Sequence, residues 1–287
     1  MFRQNYAVMP RHVLCVLGSG LEVEAVEKVV ADVAGPGFVV VNQEHHQRGF
    51  DPRMPRSFES CLVDDSFTDS DWKAVREHDS VVYVLSPPMR QHNAFDIHRN
   101  VIVGMGDGVF EELWDDVFDV SRRTLAVTAA LLRSGATAVK NDSSGLTHGR
   151  DHWLALADVM AGEPDRVKLA VTLFSAWVKR PLGDGNTVES CGMHLLGAPD
   201  VAVDLGRDTS EPMPAELLES GVELIDQMAL YLLVEQRARE MMDGEGFRLA
   251  PDAQRWVLER HPCRSYEEDD FFHNPYGVWL LTPDTEE

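Results

Sequence analysis

Residues 124–162 read TLAVTAALLRSG, ATAVK, NDSSGLTHGRDHW and LALADVMAG in succession, and the fold class turns on how these four blocks are parsed. The first is an apolar-periodic helix that Gly135 stops. The second is a short strand. The third, Asn141 to Trp153, is a dense polar loop, and the fourth continues a helix. Polar residues therefore crowd the point where a strand ends and a helix begins, a place where small-ligand sites often form.

Upstream, RHVLCVLGSG predicts a strand ending at Gly18 and Gly20. LEVEAVEKVVADVAG predicts a helix, with an apolar stripe through Val23, Val26, Val30 and Val33 and a stop at Gly35. FVVVN and SFESCLV read as strands, separated by the polar loop QEHHQRGFDPRMPR. TDSDWKAVREH reads as a helix capped at Thr68 or Asp69, and SVVYVLSPP as a strand closed by two prolines. The order β-α-β-β-α-β is the ferredoxin-like split pattern.

Downstream, VKLAVTLFSAWVKR reads as a long strand, and PLGDGN supplies hairpin chemistry through Asp184 and Gly185. TVESCGMHLLG and APDVAVDL read as further strands. The longest helix runs from Pro214 to Gly244, and GVWLL is the clearest strand near the C-terminus. The order is again β-α-β-β-α-β. The expected architecture is thus α+β: two ferredoxin-like halves joined by a partly helical connector. The expected divisions are a leader at 1–10, an N-terminal half at 11–88, a connector or flap at 89–120 and a C-terminal half at 121–287.

With 44% apolar and 26% charged residues, the chain has the composition of a folded globular protein. Its net charge of −22 opposes general nucleic-acid binding and docking on anionic membranes. It suits a basic protein partner, and a homo-oligomer is compatible with it. Cys15, Cys61, Cys191 and Cys263 form no Cys-x-x-Cys pair, so neither a zinc knuckle nor a redox motif is suggested. Free thiols of this kind fit a reducing, cytoplasmic setting. No signal peptide or membrane span is evident.

Four patterns could carry chemistry. Gly18-Ser19-Gly20 follows a strand, yet position 23 is Val23, so the dinucleotide fingerprint fails and a tight turn is the simpler reading. His148 and His152, with Asp142 and a distant third group such as His194, could hold a divalent ion. Loop capping by the two histidines is the simpler account, and no metal or cofactor is expected. Ser143 and Ser144 lack the Gly-x-Ser-x-Gly spacing of a nucleophile elbow, and a turn held by Asn141 and Asp142 explains them. The acids Glu111, Glu112, Asp115, Asp116 and Asp119 read as a solvated helix face. His45, His46, His92 and His98 read as surface histidines. Phe271, Phe272, Tyr276 and Trp279 read as residues that close the core.

Three segments resemble a bacterial family known as domain of unknown function 4261. They are Glu77 to Val84, the helix–strand unit Arg122 to Lys140, and Gly192-Met193-His194-Leu195-Leu196-Gly197-Ala198-Pro199-Asp200. The resemblance touches residues 70 to 240 in patches and implies a fold grouping. It supplies no catalytic residues. The connector and the extended C-terminus depart from the family pattern.

No catalytic motif survives these comparisons. The expected function is therefore a non-enzymatic recognition scaffold of accessory, regulatory or toxin-neutralising type. Its binding residues would be Asn141, Asp142, Ser143, Ser144, His148, His152 and His194. One alternative is a metal-assisted hydrolase using Asp142, His148, His152 and His194. Another is a small-ligand-sensing regulatory module.

Overall fold

The computed structural model describes residues 10–41, 47–62, 66–89, 108–183, 186–206, 214–235 and 241–284, with the side chains of 47–48 and 108–115 left aside. The expected leader, His45 and His46, His92 and His98, the turn residues Asp184 and Gly185, and the side chains of Glu111, Glu112 and Asp115 lie almost wholly outside the described residues. So does most of the connector.

The chain forms two compact units. The first is built from Met9–Arg90 and Asp115–Trp177, and the second centres on Val178–Glu287. Residue 121 is therefore not the boundary that the sequence suggested. Residues 121–177 complete the first unit, because the strand ATAVK pairs with the N-terminal strand.

The elements of the first unit, in order, are β1 (Val13–Gly18), α1 (Val23–Ala34), β2 (Val39–Val40), β3 (Gln47–Arg48), α2 (Met54–Glu59), α3 (Asp69–Glu77), β4 (Ser80–Leu85), α4 (Gly108–Arg133), β5 (Ala136–Asn141), β6 (Leu146–Thr147), α5 (Arg150–Ala161) and α6 (Arg166–Trp177). The sheet order is β2-β4-β1-β5-β6, and β3 also pairs with β4. All of these pairings are antiparallel.

Register sorts the side chains onto two faces, because directly opposed residues share a face and neighbours alternate. Cys15 opposes Tyr83 and Lys140, and Leu17 opposes Val81 and Ala138. This face packs on Met54 and Phe58 of α2 and Val75 of α3. Leu14 opposes Val84 and Asn141, and Val16 opposes Val82 and Val139, which places them on the other face. All six are buried there.

Two sequence expectations fail in this unit. SFESCLV is the end of a helix, α2, rather than a strand. Its Phe58 and Met54 lie one helical turn apart and are both buried in the cluster beneath α2, a spacing that a strand cannot give. VKLAVTLFSAWVKR is α6 followed by the start of a strand. Ala170, Leu173, Phe174, Ala176 and Trp177 are all buried, so its second half is apolar on more than one side. A short, broadly apolar run does not separate helix from strand.

The second unit contains β7 (Lys179–Leu182), β8 (Thr187–Cys191), a 3-10 turn (Met193–Leu196), β9 (Asp200–Asp204), α7 (Ala215–Val234), β10 (Gly246–Phe247), β11 (Trp256–His261) and β12 (Val278–Pro283). The sheet order is β10-β11-β12-β9-β8-β7. Among the described residues, β12 and β9 are the one parallel pair of this sheet. Three strands, one helix and three strands, counted among the described residues, replace the expected β-α-β-β-α-β, because ATAVK belongs to the other sheet and β10 and β11 escaped the sequence reading. Among the described residues α7 ends at Val234, short of Gly244, with Glu235 extended. Gly221 of α7 lies against Val188 and Leu205, where a Cβ would meet Val188 Cγ2 at 2.9 Å.

Helices and sheets are thus both present, as an α+β class requires. Among the described residues no helix is long and apolar enough to cross a membrane.

Candidate functional site

Several buried polar side chains meet at the end of β5, among them Lys140, Asn141, Ser143 and Ser144. Pleat alternation sends Lys140 to the face covered by α2 and α3, and Asn141 to the opposite face.

On the Asn141 face, three fully buried side chains form a chain. Asn141 Nδ2 lies 3.0 Å from His12 Nδ1, and His12 Nε2 lies 3.0 Å from Ser121 Oγ on α4. Asn141 Oδ1 accepts the Ser143 amide at 3.0 Å, which fixes the amide orientation. Nδ2 must then donate to His12 Nδ1, so the imidazole proton sits on Nε2 and points at Ser121. A nucleophilic serine needs the reverse, an unprotonated Nε2 that takes its proton. The arrangement has the spacing of a Ser-His-Asn set but the wrong tautomer, and it lies in the core. Ser143 Oγ donates to the Arg11 carbonyl at 2.6 Å, and the Asp142 amide donates to the Val13 carbonyl at 2.7 Å. The loop is sewn to the strand beside it.

On the opposite face, Lys140 is buried and paired with Asp142. Its Nζ also donates to Ser57 Oγ of α2 at 2.6 Å and lies 5.9 Å from the centre of the Phe58 ring. Burial pulls the ammonium pKa down, but Asp142 and the hydrogen bond to it more than offset this, so Lys140 is held above its ordinary value. A lysine base for Ser57 must be neutral, and this one is charged. Cys15 sits nearby in the same layer, its Sγ 3.8 Å from Met54 Sδ. Burial first, then Asp142, push its thiol up to about 12, which makes it an inert core group. Burial likewise raises Tyr83.

His148 and His152 do come together, but as stacked rings, 4.5 Å between centroids and 19° apart. His148 Nε2 faces the Ser175 carbonyl at 3.0 Å and therefore carries a proton. The Trp153 ring meets His148 edge-on at 4.7 Å and Trp177 at 5.3 Å, and Trp177 meets His12 at 4.4 Å. The aromatic wall runs from the loop to the N-terminal strand. Among the described residues no group of three or more His, Cys, Asp or Glu is placed to hold a metal ion.

Of the expected recognition residues in this unit, Asn141, Ser143, Ser144 and His148 are buried, and only Asp142 and His152 are partly exposed. His194 belongs to the second unit, buried within the 3-10 turn. That unit has its own polar centre. Asp200, at the start of β9, accepts from Ser190 Oγ at 3.2 Å, the Met193 amide at 3.1 Å and Asn274 Nδ2 at 2.7 Å. Burial raises its carboxyl to about 7 against the pull of these three donors.

At Gly18-Ser19-Gly20 the Gly20 and Leu21 amides and the Ser19 hydroxyl are already engaged. The Gly20 amide donates to Asp79 Oδ1 at 2.6 Å, Ser19 Oγ to Asp79 Oδ2 at 3.1 Å, and the Leu21 amide to Ser80 Oγ at 3.0 Å. The Gly20 amide first, then the Ser19 hydroxyl, hold Asp79 below the ordinary carboxylate range. A phosphate bound here would have to displace a carboxylate of the same chain.

His12, Lys140, Ser121 and Asp200 were not singled out by the sequence. For Lys140 and Asp200 the available signal was a charged residue in an otherwise apolar strand segment, which marks a buried polar centre; His12 precedes β1 and Ser121 lies on α4, so no strand pattern marks them. All four cysteines are free, with Cys15, Cys61 and Cys191 buried. No family model matches the chain, and neither a curated protein nor a solved structure matches it.

Proposed function

We propose that the chain is a non-enzymatic recognition protein that binds a basic protein partner. One observation carries this reading. The side chains most able to do chemistry at the end of β5 are saturated by one another, with His12 in the tautomer that cannot activate Ser121 and Lys140 charged beside Asp142. The net charge of −22 supports a basic partner, since complementary fields raise encounter rates and select against acidic competitors. An accessory, regulatory or toxin-neutralising role in a bacterial cytoplasm goes with this reading, as does the resemblance of residues 77–84, 122–140 and 192–200 to the family of domain 4261.

The test is affinity capture with the full chain as bait at low and at high salt. Capture of a basic protein at low salt that weakens at high salt is the expected result, because exposed charge pairs are screened. Failure to recover any basic protein at either salt concentration would overturn the reading.

A second reading, a small-ligand-sensing module, draws on the first sheet. Its order β2-β4-β1-β5, antiparallel throughout, supports a ferredoxin-like reading of that unit, with α2 and α3 as additions between its second and third strands. Thermal-shift screening against amino acids and nucleotides tests it: a bound ligand raises Tm, and a flat panel removes the reading.

A further inference from the structure

We propose that His78 is a proton-sensitive anchor for the Gly49–Arg53 loop: its neutral ring holds the Asp51 amide, and its imidazolium lets the loop and the start of α2 go. Hydrogen-bond directions carry the case. His78 is buried at the C-terminal end of α3. Its Nδ1 lies 2.6 Å from the Val75 carbonyl, which can only accept, so Nδ1 carries a proton and donates it. The Asp51 amide can only donate, and it donates to Nε2 at 3.0 Å. The ring is therefore the neutral Nδ1–H tautomer. A second proton, on Nε2, would set two N–H groups against each other across that gap.

The anchored amide belongs to the residue that starts α2. Asp51 Oδ1 accepts the Arg53 amide at 2.9 Å, and the Asp51 carbonyl accepts the Met54 amide at 3.1 Å. The same carboxylate holds the Arg53 side chain, with Nη2 2.7 Å from Oδ2. α2 in turn seats Met54 and Phe58 in the core cluster and Ser57 on Lys140. Just before Asp51, Phe50 lies against the His78 ring, 5.1 Å between centroids, and stays half exposed. Loss of the amide bond therefore releases an exposed phenylalanine and disturbs the first turn of α2.

The surrounding charges draw the proton in. α3 directs the negative end of its dipole at His78. Asp51 on the loop and Asp79 next in the chain both feel the imidazolium charge. The nearby cations are Arg53, engaged by Asp51, Arg76 in the last turn of α3, and Arg48, which stands opposite Ser80 on β3. Lys73 and Glu77 of α3 pair with each other on the exposed side. Against this pull stands the Asp51 amide, and the closed loop accepts only the neutral ring. A loop that has let go accepts either form, so acid favours release. Imidazole is the side chain that ordinarily changes charge between about pH 5 and 8, which sets the window to search.

Long-range proton–nitrogen NMR on the full chain reads the ring directly. It should show the Nδ1–H tautomer in the neutral ring and give the ring's own titration midpoint. Hydrogen exchange over the same window, corrected for intrinsic rates, should show Asp51 amide protection falling on the order of tenfold as pH drops through that midpoint, with the Val16 amide of β1 level. In His78→Gln, whose side chain does not titrate, the Asp51 step should vanish. A step that persists there belongs to the Asp51 carboxyl and overturns the proposal. If His78→Gln does not fold, the coincidence of ring midpoint and Asp51 step in the native chain decides. A neutral ring protonated at Nε2, a ring that stays neutral until the chain unfolds, level Asp51 protection, or a fall shared by Val16 each overturns it as well.

Discussion

At the scale of single residues, this chain places polar groups where strands meet loops and then satisfies them internally. Asn141 is the clearest case. Asn141→Ala removes the Asn141 contacts of the buried Ser143 amide and of His12 Nδ1, where each lost hydrogen bond to a buried group costs on the order of 1–3 kcal/mol. A loss of about 2–4 kcal/mol in urea unfolding is expected, with an unchanged m-value. A loss below about 0.5 kcal/mol would show that the network is not holding the loop. Asp200 gives a second expectation with a definite sign. Its carboxyl rises from 3.8 to about 7 on folding, so the folded state binds the proton more tightly than the unfolded chain. Its contribution to stability is fully present below about pH 4 and is lost as pH climbs through 7, a change of roughly 4 kcal/mol at 1.36 kcal/mol per pKa unit. Denaturation midpoints measured from pH 4 to 8 should show that decline in the native chain and a shallower one in Asp200→Asn. Matching slopes in the two proteins would refute it.

Elements are held together by shared caps. Asp71 of α3 closes the capping box with Thr68 and also accepts the Arg150 amide at the first turn of α5, at 2.9 Å. Two helix starts depend on one carboxylate, which leaves no room for a side chain between them. A Cβ at Gly149 would lie 2.1 Å from the Ser66 carbonyl oxygen and 2.9 Å from Asp71 Oδ2. Gly149→Ala should therefore displace the start of α5 and cost about 1–3 kcal/mol or more. Thermal unfolding measures this, and an unchanged Tm would contradict the close approach. The sequence made the helical cap legible, since Thr68 precedes Asp71 at the required spacing. It did not make Asp71's second role legible, because Arg150 is remote in the chain. The same limit explains the two misread segments. Met54 and Phe58 sit in SFESCLV and the residues before it, where branched and aromatic side chains favour strand on local grounds. In α6, Leu173, Phe174 and Trp177 are packed from more than one side, which erases the periodicity that identifies a helix.

For the molecule as a whole, the sequence carried the class and most of the long elements, including β1, α1, α3, β4, β5, α5, β8, β9 and β12. Which strands share a sheet was hidden, since nothing local tells ATAVK to pair with VLCVLG rather than with a later strand. That pairing moves the division of the chain from 121 to 178. It also governs the site: Lys140 and Asn141 acquire their partners, Ser57 and His12, only once β5 lies beside β1. The polar loop was legible as a concentration of function-capable residues. Their burial was not, because a loop that reads as surface in sequence is here roofed by Trp153, whose Nε1 donates to the Val139 carbonyl at 3.1 Å.

The position of β1 between β4 and β5 has a bearing on biosynthesis. As the ribosome releases the chain, β1 and β4 emerge early, while β5 is still to be made. Until Asn141 clears the exit tunnel, a wholly apolar strand presents one open hydrogen-bonding edge, the kind of surface that recruits chaperones or pairs with other nascent chains. Arrested translation products ending before β5 should accordingly be protease-sensitive and chaperone-bound, and those extending past Trp177 should be released and resistant.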